Sequence, residues 1–375
     1  MSLLKSLERR AKKLVLKSVC LFMPESRQYE TIHDKQGEIK KILVLRLDNR
    51  MGNLTMTTFF PRALREIYPD AEIHICMPSN LRLIWENNPF VGRIIEFDPA
   101  VHLRNPFHLI RFLYSLRKAG YDLVIDNSNP VSFSVSNGIL TRFTGARFRV
   151  GFRRGESPLF LNVMTGADQS KHYIDIMNSL LGLLRPGGNS YRPEIFLTDK
   201  EMESARARIA GLNYDRKKKL VILCAGATKY RLDLQNFIDL KKRLCAESNV
   251  QVLFLCSIFE KDDYTKLSRD DPDTCLYVEN KKELAALIKE ADLFVAVDGG
   301  LLHLAYAVGT GTVGIFLQDF YTTFGYENGK EHRIVALELP GAQAGGINTV
   351  GVREIETIYS TVREALNAAE NGRPE

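Results

Sequence analysis

The sequence predicts an α/β protein of two domains, each a parallel sheet wound on both faces by helices. Three observations lead to this prediction. β-rich runs alternate with helical stretches from residue 41 onward, glycine and proline interrupt the pattern at residues 185–190, and the alternation then restarts. The chain of 375 residues, with 45% hydrophobic and 26% charged residues, is also too long for one ordinary core.

The first half carries the β-rich runs of one predicted sheet. We expect its strands to be parallel because helical stretches separate them. Strands are predicted at 42–47, 72–77, 93–97, 123–126 and 149–152. Helices are predicted at 54–68, 107–119, 131–143 and 172–184. The sequence Arg185-Pro186-Gly187-Gly188-Asn189-Ser190 then marks a boundary, which places the first domain at residues 25–188.

The second half repeats this pattern and is predicted to form a domain at residues 189–345, followed by a C-terminal helix within residues 346–375. Two doubly wound halves leave a cleft between them, and ligands of such sheets bind outside the carboxyl ends of the strands. Strands are predicted at 220–223, 252–256, 276–278, 293–297 and 312–317. Helices are predicted at 234–246, 282–291 and 301–308.

The net charge of +6 is concentrated at the N-terminus, since residues 1–24 carry +5. A nearly neutral remainder counts against a nucleic-acid-binding protein, because such a protein needs a basic stripe across a folded face. The six cysteines are scattered without C-x-x-C spacing, and most lie in apolar runs. We expect reduced core thiols rather than a disulfide framework or a zinc site, which favours the cytoplasm.

Residues 1–24 are predicted to form a basic amphipathic helix that ends at Pro24. Such a helix lies in the headgroup layer of an anionic membrane, since Lys17 interrupts an apolar stretch that is too short to span it. A signal peptide is not expected, because no small-residue cleavage site follows. The alternative is a helix that packs on its own domain or on a partner. The apolar positions at helical spacing are Leu4, Leu7, Ala11, Leu14, Val15, Val19 and Phe22.

One strand-to-helix turn in the second half has the features of a phosphate site. A predicted buried strand runs into Asp298, Gly299 and Gly300, and a helix then begins at Leu301 and contains His303. The glycines allow a ligand to approach the backbone, and the free N–H groups at the helix start suit a diphosphate that His303 also reaches. The alternative is a tight turn in which Asp298 caps the helix and His303 belongs to the core.

A second turn of the same kind follows the first strand of the chain. It contains Asp48, Arg50, Gly52 and Asn53, and a helix follows. Since both turns lie at the carboxyl ends of strands, they face one cleft and predict an active site shared by the two halves.

Two further features of the sequence bear on binding. Basic residues around residues 149–172 form a candidate surface for an anionic acceptor, or alternatively an ordinary solvated face. The run Gly309-Thr310-Gly311-Thr312-Val313-Gly314 matches G-x-G-x-x-G, but it follows a helix and enters a strand, the reverse of a dinucleotide site. A nicotinamide-dependent oxidoreductase is therefore disfavoured. The basic group comprises Arg149, Arg153, Arg154, Lys171 and His172.

Over roughly residues 41–317 the chain resembles the family-9 glycosyltransferases, the ADP-heptose:lipopolysaccharide heptosyltransferases. The family has a turn ending Gly-Asp, a helix entering "TTP", a "YP-x-A-x-I" strand entry, a "YDLVID" strand and a D-[S/T]-G-x-x-H-L-A-x-A-x-G element. The corresponding segments here are Met51-Gly52-Asn53, Thr57-Thr58-Phe59-Phe60-Pro61, Tyr68-Pro69-Asp70-Ala71-Glu72-Ile73, residues 121–126 and residues 298–309.

The resemblance implies the GT-B architecture, in which two Rossmann-like domains face a central cleft. It implies that the first domain holds a lipid-linked oligosaccharide acceptor and that the second binds the nucleotide-sugar, ADP-heptose. Transfer is expected to invert the anomeric carbon, with no bound metal or further cofactor. The enzyme is expected in the cytoplasm, peripheral at the inner face of the inner membrane, which residues 1–24 would contact.

The resemblance also assigns candidate roles to single residues. Donor binding falls to Gly226, Asp298, Gly299, Gly300, Leu301 and His303. The family's loop after the first strand of the second half has a cation that meets the donor phosphates, and here Lys229 or Arg231 is the candidate. The acceptor side comprises Gly52, Arg50, Arg153 and Arg154.

Two residues depart from the family pattern. Asn53 stands where the family has the aspartate taken as general base, and Gly299 replaces a serine or threonine. An amide does not accept a proton at neutral pH, so Asp48 is the candidate substitute, with Asp126 and Asp298 as weaker ones. The sequence therefore leaves two hypotheses, a glycosyltransferase or a sugar-nucleotide or glycan binding protein of the same fold that has lost the chemistry.

Overall fold

The computed structural model describes residues 27–102, 104–212, 214–226, 231–317, 320–328, 331–337, 339 and 346–370. It contains a six-stranded parallel sheet in each half of the chain and a small two-stranded parallel sheet. The predicted α/β fold of two doubly wound halves is confirmed. The amphipathic segment predicted at residues 1–24 and the basic residue Lys229 lie outside the described residues.

The first sheet has the strand order β3-β2-β1-β4-β5-β6. Its strands are β1 (Lys41–Leu45), β2 (Glu72–Met77), β3 (Arg93–Glu96), β4 (Leu123–Asp126), β5 (Phe148–Phe152) and β6 (Val163–Thr165). The helices of this half are α1 (Met51–Thr55), α2 (Phe60–Ile67), α3 (Pro99–His102), α4 (Pro106–Lys118), α5 (Val135–Phe143) and α6 (Tyr173–Asn178). Short 3-10 helices lie at His33–Glu38, Ser79–Ile84, Ser157–Leu159 and Leu181–Leu183.

Two helices of the first half differ from the prediction for local reasons. The helix predicted at 54–68 is two helices, because the Thr57 and Thr58 hydroxyls donate to the carbonyls of Leu54 and Thr55 where the helix breaks. The helix predicted at 131–143 begins only at Val135, since Ser134 caps it. The predicted helix at 172–184 ends at Asn178, and a 3-10 turn follows.

The second sheet has the order β10-β9-β7-β11-β12-β13, which repeats the arrangement of the first. The strands of this half are β7 (Lys219–Cys224), β8 (Arg231–Leu232), β9 (Val250–Cys256), β10 (Cys275–Tyr277), β11 (Leu293–Val297), β12 (Thr312–Phe316), β13 (His332–Ala336) and β14 (Ile347–Asn348). The helices are α7 (Asp199–Ala210), α8 (Leu234–Cys245), α9 (Lys261–Asp270), α10 (Lys281–Lys289), α11 (Gly300–Val308), α12 (Tyr321–Phe324) and α13 (Val352–Glu370). β8 and β14 pair with each other, and 3-10 turns lie at Ile258–Glu260 and Pro272–Thr274.

The sequence pattern did not predict α7 and α9, because each buries too little to show a periodic apolar stripe. Only Ala205 and Ile209 of α7 are buried, and only Leu267 of α9. A capping box formed by Thr198 and Glu201 was the available signal for α7.

Each sheet changes direction of winding beside its first strand, between β1 and β4 in one half and between β7 and β11 in the other. The crevice at such a switch point is where doubly wound sheets bind ligands. The turns after β1 and β11 that the sequence singled out therefore lie at the two switch points.

The two halves are joined by polar contacts as well as by the chain. Lys282, which is buried, donates from Nζ to the carbonyl of Glu86 at 2.9 Å and to that of Phe196. The connecting segment contacts both sides, since the amide of Glu194 donates to the Thr58 hydroxyl and that of Ile195 to the Ala307 carbonyl. The C-terminal helix α13 packs on the second sheet through Ile355, Ile358, Val362, Ala365 and Leu366.

In the part of the chain that the structure describes, no helix is both long and apolar enough to cross a membrane.

A buried ion pair at the end of β4 stabilises the first half. Arg154 Nη2 lies 3.1 Å from Asp126 Oδ2, and both side chains are almost fully buried. Asn137 Nδ2 donates to Asp126 Oδ1 at 3.1 Å, so the carboxylate is satisfied on both oxygens. Removing one partner of such a pair leaves an uncompensated buried charge.

Arg154→Met is therefore expected to lower the free energy of unfolding by about 3–5 kcal/mol. Urea titration followed by circular dichroism measures this change. Arg153→Met is the matched control, because Arg153 is the exposed neighbour and its replacement should change stability little. A loss below about 1 kcal/mol for Arg154→Met would show that the pair contributes no more than a surface salt bridge.

Candidate active site

The turns after β1 and β11 touch each other across the cleft. A Cβ atom on Gly52 would lie 2.6 Å from the His303 ring and 3.4 Å from the Gly300 Cα atom. A Cβ atom on Gly300 would lie 2.7 Å from Met51 Cε. Glycine at position 52 leaves room for the buried His303 ring, and at Gly300 the nearest neighbour is the flexible end of Met51, so the starts of α1 and α11 lie close together. The structure thus brings together residues that the sequence placed in two separate turns.

The start of α11 presents unpaired backbone amides. The N–H groups of Gly299, Gly300 and Leu301 donate to no acceptor within the described residues. The first helical hydrogen bonds instead run from Leu302 and His303 to the Gly299 carbonyl. Free amides at the positive end of a helix dipole form an anion-binding site.

Gly299, rather than Asp298, is the N-cap residue of α11, and no side chain caps the helix. The alternative in which Asp298 caps the helix is therefore wrong. Gly299 has extended backbone with φ −179° and ψ −179°. Any residue adopts this conformation, so the backbone does not itself require glycine where the family has serine or threonine.

His303 points into the protein rather than into open solvent. It is buried, its Nδ1 lies 2.7 Å from the Tyr326 hydroxyl, and its Nε2 lies 3.7 Å from Asp298 Oδ1. Burial, and then the nearby His172, lowers the pKa of His303 to about 3. Its ring is therefore neutral at pH 7, as in the alternative of a core histidine, and does not supply a positive charge to phosphates.

Asp48, the candidate base, is held by a buried arginine. Arg46 Nη2 donates to Asp48 Oδ2 at 2.6 Å and to the Tyr173 hydroxyl at 3.0 Å, while Nη1 donates to the Asn127 carbonyl. Asp48 Oδ1 accepts only a long bond of 3.3 Å from the Arg50 amide. The Asp48 side chain is 27% exposed, and Oδ1 is the oxygen that is not bonded to Arg46.

Asn53 and Arg50 lie on the same turn with free side chains. Asn53 is half-buried on α1, and its amide makes no hydrogen bond within the described residues. Arg50 is the exposed N-cap residue of α1, and its guanidinium forms no ion pair within the ranges described. Both groups are therefore available to a ligand in the cleft.

Two cations were candidates in the loop after β7. Lys229 lies outside the described residues, and Arg231 is neutralised by an ion pair. Arg231 is in β8 and forms an ion pair with Asp263 of α9. The buried Glu260, which the sequence interpretation did not select, lies against Gly226. Glu260 also accepts from the amide and hydroxyl of Ser257 in a capping box, a signal that the sequence Ser257-Ile258-Phe259-Glu260 does carry.

The basic group predicted on the acceptor side is mostly not a surface. Arg154 is buried against Asp126, and Arg149 is buried with Nε donating to the Phe160 carbonyl at 2.7 Å. Burial lowers the pKa of Arg149 to about 10. His172 caps α6 through Nδ1. Of this group, only Arg153 and Lys171 are exposed. The expectation that Arg154 meets the acceptor is therefore wrong, because its guanidinium is used inside the fold.

Comparison with known proteins identifies the family and the fold. A model of glycosyltransferase family 9 (heptosyltransferase) matches residues 109–337. Lipopolysaccharide heptosyltransferase 1 of Campylobacter coli is 20% identical over 300 residues, which cover 74% of this chain and 83% of that protein. Lipopolysaccharide core heptosyltransferase OpsX of Haemophilus influenzae is 21% identical over 286 residues, covering 74% and 79%.

Solved structures show the same architecture. A family 9 glycosyl transferase from Veillonella parvula superimposes with a TM-score of 0.72 at 15% identity, covering 89% of this chain and 98% of that one. The ADP-heptose lipopolysaccharide heptosyltransferase II of E. coli gives 0.65 at 19% identity, covering 88% and 98%. E. coli heptosyltransferase WaaC with ADP-2-deoxy-2-fluoro heptose gives 0.60 at 17%, covering 81% and 94%. The GT-B arrangement of two Rossmann-like domains is thereby confirmed.

Two buried histidines of the second half make stability depend on pH. Burial lowers the pKa of His303 to about 3 and that of His332 to about 4, whereas an unfolded histidine titrates near 6.5. Between pH 6.5 and these values the unfolded chain binds more protons, so the free energy of unfolding falls as pH falls. Each histidine contributes up to about 1.4 kcal/mol per pH unit.

His303→Gln is expected to reduce this slope by about one proton between pH 6.5 and 5. Urea unfolding at several pH values measures the slope for the wild type and the variant. His108→Gln, which changes an exposed histidine of α4, serves as the control and should keep the wild-type slope. An unchanged slope in His303→Gln would mean that His303 is already protonated in the folded protein.

Proposed function

The chain belongs to glycosyltransferase family 9, and we propose that it transfers heptose from ADP-heptose to a lipopolysaccharide core or related glycan, with inversion. The observation that supports this most is the contact between the two turns. The free amides at the start of α11 lie beside the turn that carries Asp48 and Asn53. A donor diphosphate bound by the first and an acceptor hydroxyl bound by the second would meet in one place.

The amides of Gly299, Gly300 and Leu301 are proposed to bind the diphosphate. In the reaction the bond from the anomeric carbon to the β-phosphate oxygen breaks, and its electron pair stays on the departing ADP. Amides fixed at a helix start stabilise this growing negative charge without reorganising. Lys229 is proposed to add positive charge, whereas the Arg231 charge is already partnered by Asp263.

Asp48 is proposed as the general base in place of Asn53. The acceptor oxygen attacks the anomeric carbon on the face opposite ADP, which inverts the configuration, and its proton passes to Asp48 Oδ1. The Arg46 contact fixes the carboxylate on its other oxygen.

The proposed reaction is accompanied by a proposed kind of acceptor and a proposed location of the protein. Arg50 and Arg153 are exposed on the first half and are proposed to attract an anionic, lipid-linked acceptor. Residues 1–24 are proposed to hold the enzyme at the inner face of the membrane in which that acceptor is anchored. In the proposed domain organisation, residues 25–188 bind the acceptor and residues 189–345 the donor, with a C-terminal helix after them.

A second candidate is a sugar-nucleotide or glycan binding protein of the same fold with impaired chemistry. Asn53 does not act as a base, Asp48 is ion-paired with Arg46, and Arg231 is ion-paired with Asp263. Each of these groups is either unable to take a proton or already occupied by a partner, whereas the amides at the start of α11 have no acceptor within the described residues. Nucleotide binding without transfer would therefore be its signature.

Gly300→Val tests the donor site. The added side chain would collide with Met51 and cover the free amides, so the affinity for ADP should fall at least about tenfold, as for the loss of one charge-assisted hydrogen bond. Calorimetric titration with ADP, UDP, GDP and CMP measures both the affinity and the expected preference for ADP. Gly166→Val is the matched control, because that position is exposed with no atom near the added Cβ. Unchanged ADP affinity in a folded Gly300→Val protein would remove the α11 site.

Asp48→Asn tests the base. We expect kcat to fall by about 10²-fold or more with donor affinity nearly unchanged, because proton abstraction acts in the transition state. Release of ADP in the presence of acceptor measures the rate. Asn53→Asp should be neutral or harmful if Asp48 is the base, since neighbouring carboxylates raise each other's pKa. A rate increase in Asn53→Asp would assign the base to that position, and no transfer by any of the three proteins would favour the binding protein.

A further inference from the structure

Helix α4 of the first half exposes a stripe of large apolar side chains. Phe107, Ile110 and Tyr114 are 80%, 62% and 66% exposed, and their spacing places them along one side of the helix. The opposite side is occupied, because Phe112 and Leu116 are buried in the domain core. Apolar side chains grouped in this way mark an interaction surface, whereas singly scattered ones do not.

Cations border the stripe on both sides, and carboxylates are absent from this stretch of sequence. Arg111 and Lys118 lie along one edge and Arg117 along the other, at helical spacing, with Arg104 just before the helix. The sequence has no Asp or Glu between Asp98 and Asp122. Arg104, Arg111 and Lys118 are exposed and form no ion pair within the described residues. Their charges are therefore available to an anionic partner.

We propose that this face of α4 docks on an anionic lipid bilayer. Phe107, Ile110 and Tyr114 would enter the boundary between headgroups and acyl chains, where aromatic side chains are favoured. The bordering arginines and lysine would meet lipid phosphates while their aliphatic stems cover the apolar stripe. An exposed apolar stripe with aromatic residues, bordered by cations alone, matches the apolar boundary and the negative surface of such a bilayer.

The position of α4 relates the proposed docking to the candidate active site. The chain enters α4 from the carboxyl end of β3, and the carboxyl ends of parallel strands share one edge of the sheet. The Phe107 end of α4 therefore lies at the sheet edge that also carries the Asp48 turn. Docking would bring the acceptor side of the cleft to the membrane surface, a step that rests on the proposed transfer to a lipid-linked glycan. This surface is separate from residues 1–24.

A local fluorescence reporter tests the proposal in the full-length chain. The sequence has one tryptophan, Trp85, which is buried, so Tyr114→Trp adds a single exposed reporter. With phosphatidylglycerol vesicles carrying brominated acyl chains, the added emission should shift to shorter wavelength and be largely quenched. Val352→Trp, at a 76% exposed position of α13, is the control and should show neither change.

Binding strength gives a second readout. Phe107→Ser with Ile110→Ser should lower the partition coefficient for phosphatidylglycerol vesicles by about tenfold or more, since two apolar side chains no longer insert. Arg111→Gln with Lys118→Gln should lower it about fivefold for each cation at low salt. Ile347→Ser with Val352→Ser, both at exposed apolar positions of the second half, should leave it unchanged.

Two results would overturn the docking surface. One is vesicle binding by the Tyr114→Trp protein without quenching, which would assign binding to another segment. The other is a concentration-dependent dimer that Phe107→Ser with Ile110→Ser abolishes, which would make this face an interface between two copies. Calorimetry with ADP on the same preparations separates the two proposals. Retained ADP binding with no vesicle binding refutes the surface alone, whereas lost ADP binding in every protein refutes the proposed function.

Discussion

Two glycines facing each other across the cleft set the geometry of the candidate site. Gly52 in α1 and Gly300 in α11 let the starts of the two helices touch, with Met51 and the His303 ring filling the space around them. Each helix follows the first or the fourth strand of a sheet wound in the same order, so each start lies at a switch point. A side chain at Gly52 would meet the His303 ring, so glycine there permits the close contact between the two helix starts.

Buried charges and histidines fix the residues around that contact. Arg46 forms an ion pair with Asp48, and Arg154 forms one with Asp126 at the end of β4. His303 and Tyr326 bond to each other, and Tyr326 stacks on Tyr306 with ring centres 3.6 Å apart. These groups already have partners, whereas the amides at the start of α11, the Asn53 amide and the Arg50 guanidinium make no hydrogen bond or ion pair within the described residues.

The sequence predicted what depends on local pattern. Buried parallel strands such as β2, β4 and β11 were predicted with their observed bounds, because their apolar runs are continuous. The two turns were predicted as a pair from glycines following strands. The burial and pairing of single charged or titratable residues were not predictable, because their partners lie far away in sequence. Arg154 pairs with Asp126, 28 residues earlier, and His303 bonds to Tyr326, 23 residues later. No local signal distinguishes such a buried group from a surface charge.

The roles proposed for both turns depend on where the donor diphosphate binds, and a crystal structure of the full chain with ADP would show that position. We expect the β-phosphate oxygens to lie within about 3 Å of the amide nitrogens of Gly300 and Leu301, the ordinary hydrogen-bond distance. The terminal phosphate should also face the turn that carries Asp48 and Asn53. ADP bound elsewhere on the second half, with these amides still unpaired, would rule out the proposed donor site at the start of α11.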